Sequence, residues 1–196
     1  MDRNYPAVMS KIFTIMAVMA VYVFLYWLWR AAILSPSTAA NDLGSLLFIP
    51  HGVRILSVLL FGWLGVVGSF FGSLLAPYII LGAKDPTSLY DAGESFVGAS
   101  SPMIALLILR WTGLSSHIFR PQQLLKQVNI KLLILIIFLS SGVNSFLVNL
   151  ITAVNGETSF RSPITIFNFF IGDIAGALLV ISVSLIAILG FKRYKK

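Results

Sequence analysis

The chain has 196 residues, 58% of them hydrophobic and 11% charged, with a mean hydropathy of +0.92. That composition excludes a soluble domain and leaves an integral membrane protein of one domain, because too little polar chain separates the apolar runs to fold as a catalytic or DNA-binding unit. The excess of 14 Lys and Arg over 7 Asp and Glu then reads as membrane orientation rather than nucleic-acid affinity. The lack of cysteine excludes disulfides and thiolate metal sites.

A helix needs about 20 residues to cross roughly 30 Å of hydrocarbon, and the runs are read against that length. Residues 1–11 are a polar lead with Arg3 and Lys11. The first span, residues 12–28, closes on an interfacial belt of Tyr26, Trp27 and Trp29 with Arg30; it has no small-residue cleavage pattern and reads as a retained helix, not a signal peptide. Residues 31–42 have loop chemistry. The nearly uncharged run 43–82 is too long for one helix, and Gly62 is the expected turn, since glycine costs about 1 kcal/mol inside a helix and suits tight connections. Residues 84–94 read as a net-negative loop, with Asp85, Asp91 and Glu94 solvated.

The fourth span covers residues 95–111 and contains Pro102; the polar connection 112–131 follows, with residues 121–128 as a short surface helix. Residues 132–153 form the fifth span, 155–162 a loop, and 163–191 the sixth span before the KRYKK tail. The expected fold is therefore an all-α polytopic bundle of about six transmembrane helices. With a cytoplasmic N-terminus, ten basic residues fall inside against Arg30, Lys84 and Arg161 outside, which places both termini in the cytoplasm of a bacterial inner membrane. A re-entrant segment at residues 43–60 would break that parity.

Residues 47–72 carry the most information. An arginine at the centre of a membrane helix costs about 2.5–3.5 kcal/mol on insertion scales, so Arg54 marks a pairing or functional site facing protein or water. Counting residues inward from the outer ends of the spans puts Arg54, Asp173 and Asn144 at one depth, and a buried Arg54–Asp173 ion pair, with Asn144 adding a hydrogen bond, is the expected way to keep both charges. Nearer the outer face lie His51, Asn149, Asn168, Ser100 and Ser101, with Pro50 and Pro102 interrupting helices. The expectation is a polar pocket that opens outward, with Arg54, Asp173, His51, Asn144, Asn149 and Asn168 as ligand-binding candidates; its rival is a lock that only fixes helix packing. His51 has no second His, Cys or acid at ligand spacing and reads as a hydrogen-bonded interior histidine. Gly65, Gly68, Ser69 and Gly72, and the pair Gly172 and Gly176, form small-residue faces for close helix contact, either of span three on span six or in a homodimer. No nucleophile with a base, phosphate loop, carboxylate pair or metal cluster appears, so neither enzymatic activity nor a cofactor is expected.

Pro50-His51-Gly52, the run to Gly62 and the glycine-patterned LGVVGSFFGSLL, together with Gly172-Asp173 and Gly176, resemble the PxG and GDxxG elements of bacterial membrane-associated sensor domains of the MASE type. The chain departs from that pattern in having fewer spans, in Ser182 where a proline is usual, and in Arg54. The resemblance implies sensory input, normally fused to a kinase or a cyclic-dinucleotide enzyme; with no output domain after Lys196, the signal is expected to pass to a separate membrane or cytoplasmic partner. The expected mechanism is an external ligand, anionic, that competes for Arg54 and shifts helix packing. Two other functions stand beside it: a small transporter or substrate-binding transporter subunit in which Asp173 carries a proton or orients a solute, and a structural subunit of a membrane complex.

Overall fold

Lipid offers the backbone no hydrogen bonds, so apolar runs of this length close their own as helices. The computed structural model describes residues 5–33, 46–82, 89–114, 130–154 and 163–194. Among them are six helices and no strand: α1 (Tyr5–Ile33), α2 (Ile49–Phe61), α3 (Trp63–Leu81), α4 (Leu89–Trp111), α5 (Ile130–Val154) and α6 (Pro163–Tyr194). The all-α membrane bundle expected from composition is what forms. The surface helix at 121–128, the loop at 155–162, residues 34–42 of the 31–42 linker, residues 84–88 of the 84–94 loop, and the basic residues Arg3, Lys84, Arg120, Lys126, Arg161, Lys195 and Lys196 lie outside the described residues.

The span count changes. Five helices are long and apolar enough to cross a membrane, and α2, with 13 residues, is not. Instead α2 occupies the axis: it touches each of the other helices, and ten of its thirteen residues are buried. Around it α1, α3, α4, α5 and α6 pack side by side in chain order, apart from the missing α1–α6 and α1–α4 contacts: α1 leans on α3 and α2 alone among the described residues. The outward faces carry large apolar side chains such as Phe13, Trp27, Ile134 and Val183. That is the distribution a bilayer requires.

Gly62 is the turn. Its φ of +59° lies in the left-handed region open to glycine, and it closes α2 as it opens α3. The two helices form a hairpin in which Ser57 Oγ lies 2.9 Å from Ser69 Oγ, and a Cβ on Gly65 would stand 2.2 Å from the Ser57 carbonyl oxygen. Taking Ser57 as level with residues 65–69, α2 begins level with about residue 75, roughly 9 Å short of the end of α3 at 1.5 Å per residue. The axis is thus empty of helix at one end. Pro50 does not interrupt a helix as expected; it stands in the first turn of α2, where a missing N–H is harmless. Pro102 does lie inside α4, and the Gly98 carbonyl, which an amide at position 102 would otherwise engage, accepts the Ser101 hydroxyl at 3.0 Å.

The glycine faces pack inside the chain, but not α3 on α6, which do not touch among the described residues. A Cβ on Gly68 would meet Val18 and the Ile15 carbonyl, and one on Gly72 would stand 2.8 Å from Tyr22 Cβ, so this face holds α1. The Gly172–Gly176 face holds α2: the Phe48 amide donates to the Gly172 carbonyl at 2.9 Å, and a Cβ on Gly176 would stand 2.1 Å from the Phe48 carbonyl oxygen. Gly52 completes the seam, its missing Cβ lying 2.6 Å from Val180 Cβ. The reason α3 takes α1 is the hairpin, which sets α2 between α3 and α6. Because the obstructing atoms at Gly176 are backbone, Gly176→Ala is expected to cost about 1–3 kcal/mol. Gly142→Ala, whose Cβ would meet only Phe170 at 3.8 Å, is expected to be neutral or to stabilise by up to about 1 kcal/mol. Reversible unfolding in mixed micelles checks both.

Candidate functional site

Late α1, early α2, late α3, early α4, late α5 and early α6 meet at one end of the bundle, as alternating helix directions require. There, over the start of α2, lies a cavity of about 370 Å³ with walls from all six helices. The other half is filled: Ile55, Val58 and Leu59 of α2 pack with Val66, Met103, Leu106, Leu109, Ile136, Ile137 and Ile181. The cavity is one-ended.

Arg54 lies at its floor, 6% exposed. One terminal nitrogen donates to the Tyr22 hydroxyl at 2.9 Å, and the guanidinium carbon lies 5.4 Å from the Tyr22 ring centre and 5.5 Å from that of Phe48. Cation–π attraction of this kind contributes about 2 kcal/mol where water is excluded. Gly98 of α4 makes the space, since a Cβ there would stand 2.5 Å from the guanidinium.

Asp173, 1% exposed, accepts the Asn144 side-chain amide at 2.6 Å. The expected Arg54–Asp173 ion pair is not made: the one carboxylate–base approach within 4.0 Å among the described residues is His51 Nδ1 to Asp173 Oδ2, at 3.9 Å. The cause is geometric. Tyr22 and Gly98 draw the arginine toward α1 and α4, whereas Asn144 holds the aspartate on the α5 side. Depth counting holds for Asn144 and Asp173, which touch, but not for Arg54: Phe48 lies beside Gly172 and Gly176 and Gly52 beside Ala177 and Val180, so α2 and α6 run parallel and Arg54, two residues past Gly52, starts deeper than Asp173.

The other candidates divide. Asn144 and Asn149 line the cavity with Arg54 and Asp173. His51 does not line its mouth; it is fully buried behind Asp173, with Nε2 3.2 Å from Ser140 Oγ, which lies 3.4 Å from Ser101 Oγ. Hydrogen-bonded interior histidine is the reading that holds. Asn168 is half-buried and, like Ser100 and Ser101, is not part of the lining.

Sequence reasoning missed much of the wall. Tyr26 and Trp29 face the cavity, not an interfacial belt, and the Trp29 indole donates to the Leu47 carbonyl while its ring meets Phe48 edge-on at 5.1 Å. Asp91 and Glu94 also line it: α4 starts at Leu89, not at residue 95, so both acids belong to the first turns of a helix and not to a free loop. Glu94 Oε1 lies 2.8 Å from Thr152 Oγ1. The signal available was spacing, because Asp91, Glu94 and Gly98 recur at helical intervals on one face.

Five cavity-lining residues carry a buried polar atom with no hydrogen-bond partner in the protein: Arg54 Nε, Asn144 Oδ1, Ser145 Oγ, Asn149 Oδ1 and Asp173 Oδ1. Each such atom costs about 1–3 kcal/mol if left unserved. All five gather at this one cavity. Among the described residues no three His, Asp or Glu side chains converge as metal ligands would.

The chain matches no protein-family model, no curated protein and no solved structure. The segments 50–52 and 172–176 are neighbours, since Gly52 abuts α6 and Gly176 abuts Phe48. Tyr22→Phe keeps the ring over Arg54 and removes its hydroxyl partner, so it is expected to destabilise the protein by about 1–3 kcal/mol. A double-mutant cycle with Arg54→Met, read by unfolding in micelles, should recover most of that as coupling between the two residues.

Proposed function

We propose that this protein is a solute-binding sensory module of a bacterial inner membrane that reports occupancy of its cavity to a separate protein partner through helix packing. The observation that carries the reading is the set of unpartnered polar atoms on the lining of a one-ended cavity. Of the described basic residues outside the cavity, Lys11, Arg110, Lys131, Lys192 and Arg193 lie toward the opposite end of the bundle and Arg30 toward the cavity end, so the positive-inside rule turns the cavity outward. Resemblance to the MASE-type sensor domains points the same way.

The transmission element is the grip of α1 on α2. Glycine contacts lock α2 to α6 and α1 to α3 with no slack, whereas the Arg54–Tyr22 hydrogen bond joins α1 to the axial helix at the cavity floor. A solute that draws Arg54 away weakens that tie and leaves the glycine seams intact. The shift follows only to the extent that the solute binds the two packings unequally.

A second reading, a small transporter, is favoured by the polar string Asp173, His51, Ser140 and Ser101, which leads from the cavity floor into the bundle and would suit proton coupling. The two part on one experiment. Protein in proteoliposomes is screened for thermal stabilisation by amino acids, sugars, carboxylates and amines, then assayed for uptake of each hit. A sensory module is expected to be stabilised, by about 2.7 kcal/mol at a hundredfold excess over Kd, without accumulating or exchanging the solute. Counterflow or proton-driven uptake would establish the transporter reading instead.

A further inference from the structure

The chemistry of the solute follows from which atoms lack partners, and it rests on the solute-binding reading above. Ionisable groups of the lining are Arg54 against Asp91, Glu94 and Asp173, besides the tyrosines, so acids outnumber the base and a simple anion is disfavoured, contrary to the expectation drawn from Arg54 alone. Three of the unpartnered atoms are acceptors, the Oδ1 atoms of Asn144, Asn149 and Asp173, on side chains 6%, 1% and 1% exposed. The amide orientations are set by their other bonds, because Asn144 Nδ2 serves Asp173 and Asn149 Nδ2 donates to the Ser145 carbonyl at 2.6 Å. A primary ammonium has N–H donors for such acceptors, and a quaternary ammonium has none; Asn144 and Asp173 are in contact and can serve one nitrogen together, whereas Asn149 lies five residues further along α5 and on another side of the helix. The remaining fixed donor is Arg54 Nε, on a guanidinium with no carboxylate within 4.0 Å among the described residues. It calls for an anionic acceptor. Tyr22, Tyr26, Trp29 and Phe48 form the apolar wall, and about 370 Å³ falls within the roughly 300–1,000 Å³ of small-molecule sites.

We propose that the cavity takes a small zwitterion of the amino-acid type, its primary ammonium held by Asn144 and Asp173, its carboxylate by Arg54, and its side chain against the aromatic wall. Glu94 stands one helical turn outward from Gly98, hence from the guanidinium that Gly98 accommodates, and adds negative potential on the ammonium's route in.

The test uses the full-length protein in nanodiscs, with calorimetry and thermal melting as readouts. Probes are the twenty common amino acids, choline, glucose, acetate and, for each amino acid that binds, its decarboxylated amine and its deaminated acid; phenylalanine, phenethylamine and 3-phenylpropionate are one such set. At least one amino acid is expected to bind at least about tenfold more tightly than either of its halves, with choline inert, and Asp173→Asn, which keeps an acceptor for the Asn144 amide and removes the charge, to weaken it by about tenfold. An acid or choline that binds as tightly as the amino acid would overturn the zwitterion and leave a solute-binding cavity. Full affinity in a folded Asp173→Asn variant would overturn the ammonium's placement. Folded protein that responds to none of the probes would overturn both the zwitterion and the solute-binding reading.

Discussion

A guanidinium buried on the axis of a membrane bundle is the constraint on which the rest of this structure depends. Arg54 cannot face hydrocarbon, so the helix that bears it must be enclosed, and α2 is accordingly the one helix in contact with all the others. Enclosure sets further demands. Room for the charge comes from Gly98, and its partners are Tyr22 and Phe48. Tyr22 is in place because Gly72 lets the backbones of α1 and α3 approach until a Cβ would collide with it. A single side chain thus accounts for glycines on two helices and for the position of a third.

Between helices in lipid there is little hydrophobic force, and close packing supplies the attraction instead. The bundle uses it along three seams, α1 on α3, α2 on α3 and α2 on α6, each pinned where a missing Cβ lets atoms approach more closely than a side chain would allow. The apolar half then fills in the ordinary way around Ile55, Leu106, Leu109 and Ile136. The polar half does not, because α2 is too short to reach that end. Its absence from the axis makes the cavity, and the polar side chains that would have packed against it line the space.

The two halves of the bundle use their polar side chains differently. A lock would spend its polar atoms on one another, as Ser57 and Ser69 do. On the cavity lining only part of that capacity is spent: Asp173 receives one amide on one oxygen, and Arg54 offers one nitrogen to Tyr22. The remainder faces a space with an aromatic wall on one side and carboxylates toward the mouth. Selectivity of such a site comes from the arrangement of donors and acceptors, since a solute lacking the right groups leaves them unpaired.

Composition, run length and residue periodicity determined by themselves that this is an α-helical membrane bundle, that the chain turns at Gly62, and that Asp173 and Asn144 share a level, because each of these depends on local chemistry or on a rise of about 1.5 Å per residue. Rotation about the helix axes and the order of neighbours are not local quantities, and the tertiary structure decided them. It made α2 a short axial helix rather than a span, turned Gly68 and Gly72 toward α1, moved His51 behind Asp173, and brought Tyr26, Trp29, Asp91 and Glu94 to the cavity. It also parted the two charges that residue counting had paired, because a count from the end of an apolar run cannot show that α2 starts partway down the axis and carries Arg54 deeper than Asp173.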